Sequence, residues 1–204
     1  MTVTRLEEYT KTKFKVYLDN EFAFVLYKGE LSRYKIKEGA EITEDVYEEI
    51  LQKVIIKRAK LRAMHLLEAM DRTEFGLRDK LKTGGYPPEA VDEALAYVKS
   101  FGYINDFRYA VNFIDSRKES KSRRQIYALL SGKGIDRDTM DRAFEECYES
   151  GEEKTAILKL IRKKKINPDE ASPEELQKLY GYLARKGFRY DDIRQVIQYY
   201  DEKA

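Results

Sequence analysis

The chain has little of what disulfide frameworks and metal sites require. Its 204 residues include one cysteine and one histidine. A single cysteine excludes a disulfide within the chain. The lone His65 has no second histidine with which to chelate a metal, and no stretch shows metal-ligand spacing. We therefore expect a protein without a metal or cofactor, located in a reducing cytoplasm.

Long apolar runs and a strong charge of one sign are also missing. No run reaches the roughly 20 residues of a membrane-spanning helix, and residues 1–8 lack the apolar core of a signal peptide. Lys and Arg number 39 and Asp and Glu 37, which gives a formal net charge of +2. Net charge alone therefore indicates no polyanionic partner, and local clusters of charge must be considered instead.

Motifs for catalysis are absent as well. The glycines of Lys82–Gly85 follow a helical pattern instead of opening one, so they do not form a phosphate-binding loop. No serine or cysteine nucleophile motif is present. The sequence predicts that the protein is not an enzyme.

What the chain does have is a repeat. Each copy consists of a leucine, three variable residues, a glycine and a large apolar residue: Leu81–Tyr86, Leu130–Ile135 and Leu183–Phe188. The three glycines, Gly85, Gly134 and Gly187, lie 49 and then 53 residues apart. Apolar residues 6, 9 or 10, and 13 positions after each glycine would lie on one face of a helix. This spacing is typical of repeated helical modules, which usually bind extended partners.

The fold that we predict is mainly α: three tandem three-helix modules in an elongated, curved array, after a small N-terminal antiparallel β meander. The predicted boundaries are 1–42 for the meander and 43–101, 102–150 and 151–204 for the first, second and third modules. Short strands are expected from residue 2 to about 36, with a turn at Asp19–Glu21, because apolar and polar residues alternate there.

Capping residues give the predicted helix starts. The first module should begin after Thr43, bend near 57–60, start a second helix at Thr73 and a third at Pro87 and Pro88. In the second module we expect helices over about 106–118, 122–131 and 137–149, capped by Ser122 and Asp136. In the third we expect 152–165, 173–185 and 191–202, with a capping box at Ser172–Glu175. Each repeat glycine should end a middle helix in a left-handed conformation.

Three segments resemble the RecX family of bacterial recombination regulators. Gly102–Ala110 is similar to the family signature that joins the first and second modules. Ser122–Ile126 with the following Lys133–Ile135, and Thr73–Leu81, resemble the neighbouring stretches. The resemblance covers about residues 59–150 and implies tandem three-helix units without enzymatic activity. It further implies that the partners are RecA filaments and DNA, and that the protein inhibits strand exchange and RecA's ATP hydrolysis. We expect the DNA to be single-stranded or double-stranded and the protein to be a monomer.

Clusters of cations are the candidate contacts to the nucleic acid or to the RecA filament, because closely spaced cations can contact phosphates. The candidates are Lys57, Arg58, Lys60, Arg62, Arg117, Lys118, Lys121, Arg123, Arg124, Arg162, Lys163, Lys164 and Lys165. Lys159 extends the third cluster, and Arg185, Lys186 and Arg189 form a fourth. The alternative is that these are solvated helix faces and ends, where cations also complement the helix dipole.

Two other functions remain open at this point. The chain could be a helical-repeat scaffold for another protein, with incidental basic clusters. It could also be a DNA-binding module that acts without RecA.

Overall fold

The computed structural model describes residues 1–149 and 151–200. The chain divides into two compact units, Met1–Asn105 and Asp106–Ala204. The first unit contains a small sheet and helices, and the second contains helices. Within the described residues no helix is both long and apolar enough to cross a membrane. The predicted module boundaries are not tested by this division and stay a prediction.

The N-terminal sheet is the predicted antiparallel meander. Its strands are β1 (Val3–Thr10), β2 (Lys13–Leu18) and β3 (Glu21–Tyr27), hydrogen-bonded in that order. Asp19 and Asn20 connect β2 to β3 with φ values of 48° and 72°. Positive φ at both positions is typical of the two-residue turns that match the twist of a hairpin. Alternation thus predicted the sheet correctly.

The prediction that strands continue to about residue 36 is wrong. Residues Lys28–Arg33 form the short helix α1. The Glu30 carboxylate accepts a hydrogen bond of 2.8 Å from the backbone N–H of Tyr27, which satisfies an amide group at the helix start. Leu31 is buried in the core of the first unit. Gly29 disfavours a helix, so local propensity did not reveal this element.

The first long helical segment contains an irregularity earlier than predicted. It consists of α2 (Glu44–Ile50), a π-helical stretch (Leu51–Ile56) and α3 (Lys57–Ala69), and the Thr43 side chain caps its start. The predicted bend at 57–60 is replaced by this π-helical stretch, which directly precedes it. Leu51, Ile55 and Ile56 are all buried. The π-helical turn therefore coincides with a stretch that buries more apolar residues than one face of a regular α-helix presents.

The remaining helices of the first unit start where their caps predict. Helix α4 (Glu74–Thr83) begins after Thr73, whose side chain accepts a hydrogen bond from the Gly76 N–H at 3.1 Å. Helix α5 (Pro88–Ser100) has a proline in its first position. Apolar residues of the sheet, the π-helical stretch, α3, α4 and α5 form one core.

The second unit contains two three-helix groups. In the second module these are α6 (Asp106–Asp115), α7 (Arg123–Ser131) and α8 (Arg137–Cys147). Ser122 and Asp136 cap α7 and α8 as predicted. Helices α6 and α8 end two or three residues before their predicted limits, because hydrophobic periodicity locates a helix better than it locates its last turn.

The third module has its own helices and its own apolar core. Its helices are α9 (Glu152–Lys164), α10 (Pro173–Arg185) and α11 (Tyr190–Gln198). The capping box at Ser172 and Glu175 is present as predicted. The last helix was predicted to continue to residue 202. It ends at Gln198, and residues 201 and 202 lie outside the described part of the chain.

The sequence repeat corresponds to one hydrogen-bonded helix end that occurs three times. Gly85, Gly134 and Gly187 have φ values of 82°, 77° and 87°, which confirms the predicted left-handed conformation. After each glycine, the N–H of the large apolar residue donates to the carbonyl of the repeat leucine at 3.3 Å. The glycine N–H donates to the next carbonyl along, which completes a Schellman motif. All three leucines are fully buried.

Candidate functional site

The basic cluster on α3 is divided between cations held by the fold and cations facing solvent. The Arg58 guanidinium donates to the Val25 carbonyl at 3.1 Å and pairs with Glu30, and it lies 4.7 Å from the Tyr27 ring centre. Lys60 pairs with Glu93 at 3.1 Å. Lys57 and Arg62 are exposed. In this cluster, therefore, two of the four predicted contacts form no ion pair with another described residue.

The cluster at the end of α6 is also partly engaged. Lys118 Nζ lies 3.1 Å from a carboxylate oxygen of both Asp115 and Glu152, and it donates to the Cys147 carbonyl at 3.0 Å. These partners raise the pKa of Lys118, the hydrogen bond to Asp115 contributing most. The Arg117 guanidinium lies 3.7 Å from the Phe113 ring centre. Both side chains therefore make contacts within the second unit.

Polar contacts join the second and third modules within the second unit. Ser122 Oγ donates to the Lys186 carbonyl at 2.7 Å, and the Arg123 N–H donates to Glu153 Oε1 at 2.9 Å. Further contacts are the ion pairs Lys118–Glu152 and Lys159–Glu119. The apolar residues of the two modules, in contrast, form separate cores. We call this set of contacts the polar seam.

The third repeat glycine lies at the polar seam. A Cβ atom added to Gly187 would come within 2.9 Å of Ser122 Oγ and 3.4 Å of Arg124 Cβ. Because real side chains do not approach this closely, the seam requires glycine here for space as well as for its backbone conformation. The repeat motif thus brings the end of α10 against the start of α7.

A cleft of about 1010 Å³ opens beside the seam. It is formed by α7, the start of α9 and the start of α11, and we call it the seam cleft. Its charged and aromatic lining residues are Arg123, Arg124, Tyr127, Tyr148, Glu149, Glu153, Lys154, Phe188, Arg189 and Asp192. Arg123 and Arg124 from the second predicted cluster and Arg189 from the fourth, which are far apart in sequence, therefore line one space.

The cations of the seam cleft differ in their engagement. Among the described residues Arg124, Lys154 and Arg189 form no ion pair. Arg124 and Arg189 are exposed, and Lys154 is half-buried. The Arg123 guanidinium lies 4.8 Å from the Phe144 ring centre. Three cations at the cleft are thus available to an anionic partner.

The carboxylates of the cleft have a different environment. Burial raises the pKa of Glu153, and the neighbouring Asp192 carboxylate raises it further, whereas the Arg123 N–H opposes the shift. Burial likewise raises the pKa of the Tyr148 phenol, next to the Glu153 and Glu152 carboxylates. The Glu153 carboxylate and the Tyr148 phenol are therefore partly desolvated.

The cluster at the end of α9 has a simple arrangement. Arg162, Lys163, Lys164 and Lys165 are exposed, Lys164 Nζ lies 4.5 Å from the Tyr182 ring centre, and Lys165 ends the helix in a left-handed conformation. Lys121, at the second cluster, is half-buried. The structure does not place the third cluster at the seam cleft. Cations at a helix C-terminus also complement its dipole.

Sequence patterns did not reveal every residue of the cleft. Lys154 follows two glutamates at the end of an acidic stretch, and Tyr127, Glu153 and Asp192 belong to ordinary amphipathic helices. No local signal distinguishes them, because the cleft forms only when α7, α9 and α11 come together. Among the described residues no group of three or more His, Cys, Asp and Glu side chains could hold a metal ion.

Comparison with known proteins supports a fold of tandem three-helix modules. Residues 59–97 match the family model described as "RecX, first three-helix domain", and residues 152–197 match "RecX, third three-helix domain". The regulatory protein RecX of Caldanaerobacter subterraneus subsp. tengcongensis is 34% identical over 97% of this chain and 98% of its own length. RecX of Clostridium botulinum strain Eklund 17B is 27% identical over 96% of this chain and 94% of its own.

Solved structures show the same fold. The crystal structure of RecX from Lactobacillus salivarius has a TM-score of 0.64 at 26% identity, covering 72% of this chain and 96% of that one. A second crystal structure of regulatory protein RecX, at 24% identity, has a TM-score of 0.61 over 95% of this chain and 98% of its own. The protein is therefore of the tandem three-helix class. By its near-full-length similarity to the Caldanaerobacter protein, the chain belongs to the RecX family of regulatory proteins.

Proposed function

We propose that this protein regulates homologous recombination and DNA repair by binding RecA–DNA filaments and inhibiting strand exchange and RecA's ATP hydrolysis. The observation that carries the proposal is the similarity to regulatory RecX proteins along almost the whole chain. RecX family membership implies RecA as the partner. The protein would act without chemistry of its own, as a cytoplasmic monomer.

Unpaired cations support a charged partner. Lys57 and Arg62 in the first unit, and Arg124, Lys154 and Arg189 in the second, form no ion pair with other described residues. Such cations are attracted to phosphates and to acidic protein surfaces, and this attraction becomes weaker as the salt concentration rises.

Co-sedimentation with RecA on single-stranded DNA, with and without nucleotide, tests the proposal. We expect the protein to sediment with nucleotide-bound RecA filaments and to lower their DNA-dependent ATP hydrolysis. A protein scaffold for another partner would stay in the supernatant in every condition. A module that binds DNA alone would sediment equally without RecA. Either of these results would contradict the proposal.

A variant pair sharpens the same test. Arg124→Glu should weaken inhibition of ATP hydrolysis, most strongly at low salt where screening is least. Arg137→Glu makes the same change of charge on α8, at a side chain that is 85% exposed and outside the cleft, and serves as the control.

A further inference from the structure

We propose that the seam cleft is a binding site for one strand of nucleic acid, with Arg124, Lys154 and Arg189 on its phosphates. The inference rests on the proposed function and adds to it the place of the DNA contact. It assigns that contact to the junction of the second and third modules within the second unit, and leaves RecA to other surfaces.

The charge arrangement supports a phosphate-bearing ligand. Arg124, Lys154 and Arg189 come from α7, α9 and the residue before α11, yet all three line the same recess without an ion-pair partner among the described residues. Three elements are therefore needed to bring them together. Nucleic-acid affinity comes largely from such contacts between cations and phosphates.

Aromatic side chains lie among these cations. Tyr127 and Tyr148 line the cleft, and the Tyr127 ring packs at 6.0 Å and 15° on the buried Phe144, which fixes its position. Sites for single-stranded nucleic acid combine a basic groove with aromatic rings on which bases stack. A cleft built only to complete a protein fold would not need free cations beside these rings.

The carboxylates favour a single strand over a duplex. Glu149, Glu153 and Asp192 line the same cleft as the cations. These carboxylates repel the phosphates of either form, but an unpaired strand can turn the whole edges of its bases, with their amino groups, towards the carboxylates, and a duplex cannot. Carboxylates accept hydrogen bonds from such amino groups, as they do from cytosine N4. A strand with both kinds of group matches the mixed lining of the cleft.

Binding of a fluorescent, mixed-sequence single strand, measured by anisotropy without RecA, tests the site. The double variant Arg124→Gln/Arg189→Gln should bind about tenfold more weakly at low salt. The slope of log affinity against log salt should become shallower by about 0.7 for each lost phosphate contact. Arg137→Gln, on the neighbouring helix, should bind as the parent does. Thermal melts followed by circular dichroism establish that the variants are folded.

A change of the opposite sign completes the test. Glu149→Gln keeps an oxygen that can accept a hydrogen bond from a base but removes a negative charge that repels the phosphates, so it should tighten binding, whereas Glu145→Gln, an equal change on α8 outside the cleft, should not. This pair separates the cleft from the general effect of net charge, because both variants change net charge equally.

The inference is overturned if the parent does not bind the strand, if the double variant binds as tightly as Arg137→Gln, or if a duplex of the same sequence binds as well and loses as much. Failure of the proposed function looks different: single-strand binding would respond to the cleft variants, while RecA would neither retain the protein in the pellet nor lose ATPase activity.

Discussion

At the residue scale, glycine is the residue whose placement the structure explains most fully. Gly85 ends α4 with a positive φ and also lies close to the sheet: an added Cβ would be 2.8 Å from Val25 Cγ2. Gly39 has nearly the same φ, 79°, but nothing within 4 Å of an added Cβ. The two glycines lie in the same unit. Substituting each of them in turn therefore separates the free-energy cost of the backbone conformation from the cost of the close contact.

We predict that Gly85→Ala destabilises the first unit more than Gly39→Ala does. Both variants should lose about 1 kcal/mol because an L residue disfavours this conformation. Gly85→Ala should lose a further ~1–3 kcal/mol because Val25 is buried and must move. Urea unfolding of parent and variants measures both values. Equal losses would show that the sheet shifts freely to make room beside α4.

Neighbouring cations, in contrast, have different roles that their spacing does not reveal. Arg58 and Arg62 both belong to one basic cluster on α3. Arg58 is 23% exposed and bonded to the sheet and to Glu30, whereas Arg62 faces solvent. A buried charge needs partners, and these partners come from a strand and a helix more than 25 residues earlier in the chain.

At the scale of elements, the polar seam is the feature with the clearest consequences. Helix α9 approaches α7 through Glu153, whose carboxylate accepts the Arg123 N–H. The carboxylate satisfies a backbone amide at the start of α7, but burial and Asp192 raise its pKa. The hydrogen bond therefore stabilises the polar seam, whereas burial of the charge on Glu153 next to Asp192 destabilises it.

We predict that Glu153→Gln raises the melting temperature of the second unit near neutral pH. The amide keeps an acceptor for the Arg123 N–H and removes a half-buried charge. A carboxyl whose folded pKa is raised contributes full stability below its unfolded value, here near 4.5, and loses it as pH rises through the folded value. The gain from glutamine should therefore be present near pH 7 and disappear near pH 4.

Thermal melts of parent and variant at the two pH values measure this difference. Glu149→Gln, at an exposed carboxylate of the same cleft, is the control and should change stability little at either pH. A Glu153→Gln protein that is less stable than the parent near neutral pH would show that the ionised carboxylate strengthens the seam.

At the scale of the whole molecule, the chain consists of two compact units with separate apolar cores. One core joins the sheet to the helices of the first unit, and the second unit contains a core in each of its modules. None of these cores contains residues from both sides of Asn105, so each unit has an apolar core of its own with which to fold.

We predict that fragments 1–105 and 106–204 each fold alone. Each should show helical circular dichroism and a cooperative thermal transition, because each buries its own apolar residues. Cutting instead after residue 131, inside the second module, separates α8 from α6 and α7 and should leave that module unfolded. A fragment 1–105 without a transition would show that its core depends on the second unit.

The sequence by itself determined the helices that follow Thr43 and their side-chain caps, the meander, and the three glycine-ended helices, because these depend on periodicity and on hydrogen bonds between residues close in the chain. It also indicated the family through local motifs. Only the tertiary structure decided which cations are free, since Arg58 and Lys118 find their partners in distant elements. The α1 helix, the π-helical stretch and the seam cleft with Lys154 likewise depend on packing between elements, which no local pattern records.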